Sequence, residues 1–236
     1  MSKLHILASL GLSLVGMTFT SCSDNESDSS IPNEPAPPHI ALLEQKGINS
    51  SQYHQAFKEA LKPAASCPPG GCNKSDFDIE LINALILTGT KLDIPNTCEM
   101  YMLGYDFCFI ETIVCYGLTE CLETALKNGF NPNHTYKGKS SYFNGRTLLH
   151  FAYDQPKSLA LLIEAGVDID ARDNNGETAL IQAARTGNSN SVRLLLKAGA
   201  NIDVKDRTGM TALKYAEKKG HAACAQMIRM YGSGLL

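Results

Sequence analysis

Eight cysteines and six histidines are the residues in this 236-residue chain whose types could do chemistry. Structural zinc sites gather four thiolates as two close pairs, each two to four residues apart. Here four residues lie between Cys67 and Cys72, nine between Cys98 and Cys108, six between Cys108 and Cys115, and five between Cys115 and Cys121. No histidine adjoins them. That spacing points away from zinc. A dithiol redox site would set C-x-x-C ahead of a helix, and the chain has no such pair. It also lacks a Gly-rich phosphate loop, a nucleophile elbow and paired carboxylates beside a histidine. His54, His134 and His221 are scattered. Neither an enzyme nor a bound cofactor or metal is expected.

The first 39 residues are of another kind. Lys3 and His5 precede an apolar run over 6–19 that closes on Thr20-Ser21-Cys22. A run that short does not span a bilayer, which takes about 20 apolar residues. A basic start, an apolar middle and a small-residue end read as a signal peptide over 1–21. Its end resembles the lipobox of bacterial lipoproteins, although Phe19 stands where that family usually has leucine. The resemblance implies that Cys22 is lipidated and anchors an exported protein to the cell envelope, on the outer-membrane or periplasmic side. The alternative is ordinary cleavage near Ser21, leaving Cys22 as a thiol. Residues 22–39 hold one large apolar residue, Ile31, and four prolines, and read as a disordered acidic tether. Such a tether spans about 20–25 Å r.m.s..

An oxidising location favours disulfides. Cys67-Pro-Pro-Gly-Gly-Cys72 forms a turn able to bring two Cα atoms within the roughly 4.4–6.8 Å a bridge requires. Cys115 and Cys121 flank Gly117, and Cys98 and Cys108 are left to pair with each other. Cys108 and Cys115 lie seven apart on one expected helix, about 10 Å, too far to bond directly. Cys224 is the odd thiol and reads as a small packed residue. A Cys-dependent metal or redox protein is the alternative use of these thiols.

Positioning falls to a repeated element. Residues 173–205 form a 33-residue unit, and Asp206 opens another of the same kind. Asn175-Gly176 is a tight-turn dipeptide, and Thr178 is a fit N-cap. Ala179, Leu180, Ala183 and Ala184 make a narrow apolar stripe closed by Gly187. Val192, Leu194, Leu195 and Leu196 follow on a second helix that Gly199 stops. One such unit cannot bury its own apolar face, so it implies a stack. Thr178-Ala179-Leu180-Ile181-Gln182-Ala183 and Thr211-Ala212-Leu213-Lys214-Tyr215-Ala216, at that period, resemble the ankyrin repeat signature. The resemblance implies an all-α solenoid of four to five helix-turn-helix repeats joined by short β-hairpin turns, filling residues 40–236. It also implies a structural role for His150.

The helix-ending glycine recurs at Gly89, Gly129, Gly166 and Gly199, with spacings of 40, 37 and 33. Lys46-Gly47-Ile48-Asn49 is a possible earlier copy, which leaves open whether 40–62 completes a repeat. Helices are expected over 51–62, 77–88, 102–116, 118–128 and 159–165, with degenerate repeats upstream. Arg229, where the internal repeat has Leu196, suits a terminal helix facing water.

The family resemblance carries partner contacts to the hairpin tips and the exposed face of the first helices. On this chain these are Phe143, Asn144 and Arg146, then Asn174, Asn175, Glu177, Arg185 and Thr186, then Arg207, Thr208, Met210, Lys218 and Lys219. From Gly129 to Gly145 is 16 residues, against 10 from Gly199 to Gly209. The longer hairpin carries Tyr136, Lys137, Lys139 and Tyr142 beside Phe143, a mix of aromatics and cations typical of interfaces. Residues 40–123 hold 11 acidic and 5 basic groups, and residues 124–236 hold 9 and 15. A balanced body excludes a general nucleic-acid or membrane-surface role. Its polarity suits a partner with an acidic surface. The expectation is a monomeric, non-enzymatic protein-binding scaffold, held to a membrane through the lipid alone. An inhibitor or immunity-type binder of a secreted enzyme is the second possibility.

Overall fold

The computed structural model describes residues 36–61, 74–90, 109–136 and 145–234. Eleven α-helices lie among them. In chain order they are α1 (Pro38–Gln45), α2 (Tyr53–Ala60), α3 (Ile79–Leu87), α4 (Phe109–Cys115), α5 (Thr119–Lys127), α6 (Leu148–Phe151), α7 (Pro156–Glu164), α8 (Ala179–Thr186), α9 (Ser189–Lys197), α10 (Ala212–Lys219) and α11 (Ala222–Gly232). No helix among the described residues is long and apolar enough to cross a membrane.

Two ladders result. The outer helices α1, α3, α5, α7, α9 and α11 each pack on the next. The inner helices α4, α6, α8 and α10 do the same, and α2 joins them by stacking Phe57 on Phe109 at 4.4 Å between ring centroids. Each inner helix also packs on the outer helix that follows it. Among the described residues, the array is therefore five helix pairs behind one outer helix, α1. Its apolar side chains make one continuous core, from Leu43 and Phe57 through Ile82, Phe109, Leu122, Leu149 and Leu180 to Ile228.

The repeat chemistry is visible at the helix ends. Thr178 and Thr211 accept from the backbone N–H of Ile181 and Lys214, capping α8 and α10. Gly47 adopts φ 70 like Gly89, Gly129, Gly166 and Gly199, so the Lys46–Asn49 stretch is a true copy of the outer-helix stop. That copy ends α1, and α2 opens the helix pair that follows.

Three expectations shift. Helix begins at Pro38, two residues before the boundary expected at 40, because proline at the first helical position loses no hydrogen bond. Pro156 acts likewise, so α7 begins three residues ahead of Leu159. The first helix at 51–62 is a 3-10 turn over Ser50–Gln52 followed by α2. A capping box between Asn49 and Gln52 starts it. Residues 62–73 and 102–108 lie outside the described residues.

The cysteines of the outer ladder have a packing explanation. Cys121, Ser158, Ser191 and Cys224 occupy matching positions on α5, α7, α9 and α11, and all are at most 1% exposed. The site takes a small side chain where two outer helices approach. Cys115 instead ends α4 as a free thiol at intermediate burial. The bridge expected between Cys115 and Cys121 is thus not formed. Cys121 is wholly buried with the core-facing Leu122 and Ala125 of α5, while Cys115 stands at the helix end across the Gly117 turn. Cys22, Cys67, Cys72, Cys98 and Cys108 lie outside the described residues.

Two turn glycines separate strain from crowding. Gly187 and Gly220 both have positive φ, 81 and 76. A Cβ on Gly220 would meet nothing within 4 Å, whereas on Gly187 it would lie 2.6 Å from His221 Nδ1. Replacing Gly220 with Ala should cost about 1 kcal/mol of left-handed strain. Replacing Gly187 should cost clearly more, because the His221 ring must also leave its 3.2 Å bond to the Arg185 carbonyl. Urea unfolding of the two variants measures the difference, and equal losses would contradict this packing.

Candidate partner-binding surface

The hairpins that precede α8 and α10 are built on aspartate. Asp173 Oδ1 accepts from the backbone N–H groups of Asn175 and Glu177 at 2.8 and 2.9 Å. Asp206, one repeat on, accepts from Thr208 and Met210 in the same way. Each carboxylate satisfies donors that a tight loop would otherwise leave unpaired. The tips then pair with each other, Arg207 N–H donating to the Asn175 carbonyl at 2.9 Å.

The second oxygen of Asp173 reaches the preceding repeat, and that of Asp206 a side chain of its own. Asp173 Oδ2 accepts from Arg146 Nε at 3.3 Å, with Arg146 only 3% exposed. Arg146 Nη2 also lies 3.7 Å from Glu177 Oε2, which Arg185 Nη2 holds at 3.0 Å. Arg185 in turn stands over the Tyr215 ring, 5.9 Å from its centroid. Tyr215 donates its hydroxyl proton to Asp206 Oδ2 at 2.6 Å. This chain of contacts links the last three repeats. Burial raises the Glu177 carboxyl above its ordinary range, and the Asp173 charge adds to it while Arg185 and Arg146 pull the other way. Burial also acts to raise Asp206, but the hydrogen bonds from Tyr215, Met210 and Thr208 hold it below the usual value.

His150 is held at both nitrogens. Nδ1 accepts from the Thr147 backbone N–H at 3.1 Å, and Nε2 donates to the Glu177 carbonyl at 2.9 Å. It locks one repeat to the next, the structural role expected of it. Burial lowers its pKa from 6.5 despite the Glu177 carbonyl bond. The Cys115 thiol is pushed far up by burial, with Asp154 and Glu111 adding to it, which disfavours the thiolate that nucleophilic or metal chemistry requires.

Accessibility sorts the expected contact residues. Asn174, Thr186, Arg207, Thr208, Lys218 and Lys219 are exposed, and Asn175, Arg185 and Met210 are half-buried. Lys137, Lys139, Tyr142, Phe143 and Asn144 lie outside the described residues. Three expectations are corrected. Tyr136 is 1% exposed and packs edge-on against Phe151 at 6.1 Å, so it roots the long hairpin in the core. The root is a short antiparallel pairing in which Tyr136 N–H donates to the Arg146 carbonyl at 2.7 Å. Arg146 and Glu177 are consumed by the ion network and present no free surface. Sequence reasoning missed Asp173, Asp206 and Tyr215 as the supports of these tips. The signal was present in the 33-residue spacing of the two hairpin-opening aspartates.

Two outcomes follow. Replacing Asp173 with Ala removes the nearest carboxylate from a buried arginine and two backbone donors, and should cost about 3 kcal/mol or more in urea unfolding. The depressed His150 pKa means that the unfolded chain binds its proton first. That contribution is complete above the ordinary value of 6.5 and is lost as pH falls from there toward the lower value of the folded state. Stability should drop more between about pH 7 and pH 5 in the natural protein than in His150→Gln, and parallel profiles would contradict it.

A family model described as ankyrin repeats (3 copies) matches residues 110–206 and, again, 153–234. No curated protein matches the chain in sequence. Ankyrin repeats generally mediate protein–protein interaction and are typically not enzymes. With matches covering more than half its length and the repeat ladder running through them, the chain belongs to the ankyrin repeat family.

Proposed function

We propose that the protein is a non-enzymatic scaffold that captures another protein through its hairpin tips and inner-helix face. The observation that carries this is how the fold spends its polar residues. Asp173, Glu177, Arg146 and Asp206 hold the tips rigid, while Thr186, Arg207, Thr208, Lys218 and Lys219 at the same tips and helix ends face water. A rigid, cation-bearing edge costs little further entropy on binding. It favours a partner with an acidic surface, in keeping with the basic balance of residues 124–236.

The finer reading is an exported protein, lipidated at Cys22, carried on the tether before α1 and acting as a monomer at the bacterial envelope. What supports it is the leader-like sequence over 1–21 and the proline-rich segment after it. Metabolic labelling with a radioactive fatty acid should mark the natural protein and not Cys22→Ser; equal labelling would remove the anchor from this reading. With the full chain immobilised against envelope extract, Lys218→Glu combined with Lys219→Glu should weaken capture of the main bound protein about tenfold or more at unchanged helical circular dichroism. Undiminished capture would move the contact surface elsewhere.

A further inference from the structure

The outer face of the stack carries a feature that the inner-face reading leaves unused. Helices α9 and α11 leave a groove of about 250 Å³ between them, lined by Arg193, Leu196, Lys197 and Tyr231. Its floor is apolar, since Leu196 is 2% exposed and Tyr231 is half-buried against the core. Two exposed cations stand at its rim. Arg193 is steadied by donating to Asn190 Oδ1 at 3.0 Å. Among the described residues, no ion pair engages either Arg193 or Lys197.

Comparison between repeats shows that the architecture does not require these side chains. One repeat upstream, α7 has Ala160 where α9 has Arg193, and Glu164 where α9 has Lys197. The residue matching Tyr231 is Ala198. Two departures from the repeat, Arg193 and Tyr231, therefore converge on one groove beside Lys197, whose position is also lysine in α5, at Lys127. Each replaces a small or acidic residue by one that would contact a ligand. A substitution that serves only packing would fall on a buried position, yet Arg193 is exposed.

We propose that this outer groove is a second docking site, for a peptide segment of a partner that carries a large apolar side chain flanked by carboxylates. The volume lies below the roughly 300–1,000 Å³ of sites that enclose a whole small molecule, and suits one anchoring side chain. Leu196 and the Tyr231 ring cover that side chain, and Arg193 and Lys197 meet the carboxylates on either side. The site lies on outer helices, apart from the inner-helix face, so it stands or falls independently of the contacts proposed there.

The test uses the full chain and fluorescein-labelled Glu-Glu-Leu-Phe-Glu, read by anisotropy. Saturable binding is expected, weakened about tenfold by Arg193→Ala combined with Lys197→Ala and unchanged by Lys218→Ala combined with Lys219→Ala. Glu-Glu-Ser-Ser-Glu should not bind, because it offers charge without an anchor. The Leu196 methyl signals in a carbon-13 NMR spectrum should shift on adding the first peptide. The substituted side chains are exposed, so circular dichroism should show the fold retained. The proposal is overturned if the first peptide fails to bind, if the serine peptide binds equally well, or if the inner-face pair alone removes binding. It is also overturned if Leu196 is unmoved while the peptide is bound, or if vesicles of anionic phospholipid bind through Arg193 and Lys197 and the peptide does not.

Discussion

A helix pair of eight or nine residues each cannot hide its apolar stripe from water, and every other feature of this protein answers to that constraint. Ala179, Leu180, Ala183 and Ala184 on α8 are all at most 1% exposed, and they reach that state only with α10 on one side and α6 on the other. The outer ladder has the same dependence, which is why a single small-residue position recurs as Cys121, Ser158, Ser191 and Cys224. A larger side chain there would push two outer helices apart. The stack is thus held by neighbours and has no separate centre.

Polar contacts do a different job in the two halves. In the last three repeats, Arg146, Asp173, Glu177, Arg185, Tyr215 and Asp206 run from hairpin to hairpin, each answering its neighbour's charge or donor. Among the described residues, the upstream joints include aromatic contacts, Phe57 on Phe109 and Phe77 tilted against Tyr116 at 5.4 Å, and a polar one between His134 Nε2 and Glu111 Oε1 at 3.3 Å. An exposed ion pair from Lys46 to Asp78 at 2.8 Å steadies the junction of α1 and α3 and adds little by itself. Polar networks fix a register that apolar surfaces tolerate in several versions.

The legible part of the structure was whatever one turn of chain decides alone. The left-handed glycines, the Thr178 and Thr211 caps and the alternation of narrow and wide apolar stripes could be read directly, and so could the solenoid they imply. Helix α1 was not, because prolines at 35, 37 and 38 suggest spacer composition, and only docking on α3 shows that Pro38 opens a helix. The contact surface was legible by position but not by accessibility. Arg146 and Glu177 sit at positions the family presents to partners and Tyr136 was read into the longer hairpin, yet long-range neighbours claim all three. Cys115 and Cys121 show the same limit. Their spacing around Gly117 suggests a bridge, whereas the depth of Cys121 in the core is set by helices from other repeats.

The lone outer helix α1 has a mechanical consequence. It has no inner helix of its own among the described residues, and it docks on α3 through one buried side chain, Leu43, with half-buried Leu42 and Ile48 beside it. A pull on the chain ahead of residue 36 would therefore load α1 first, through Leu43 and the Lys46–Asp78 pair, before it reached the interlocked hairpins at the other end.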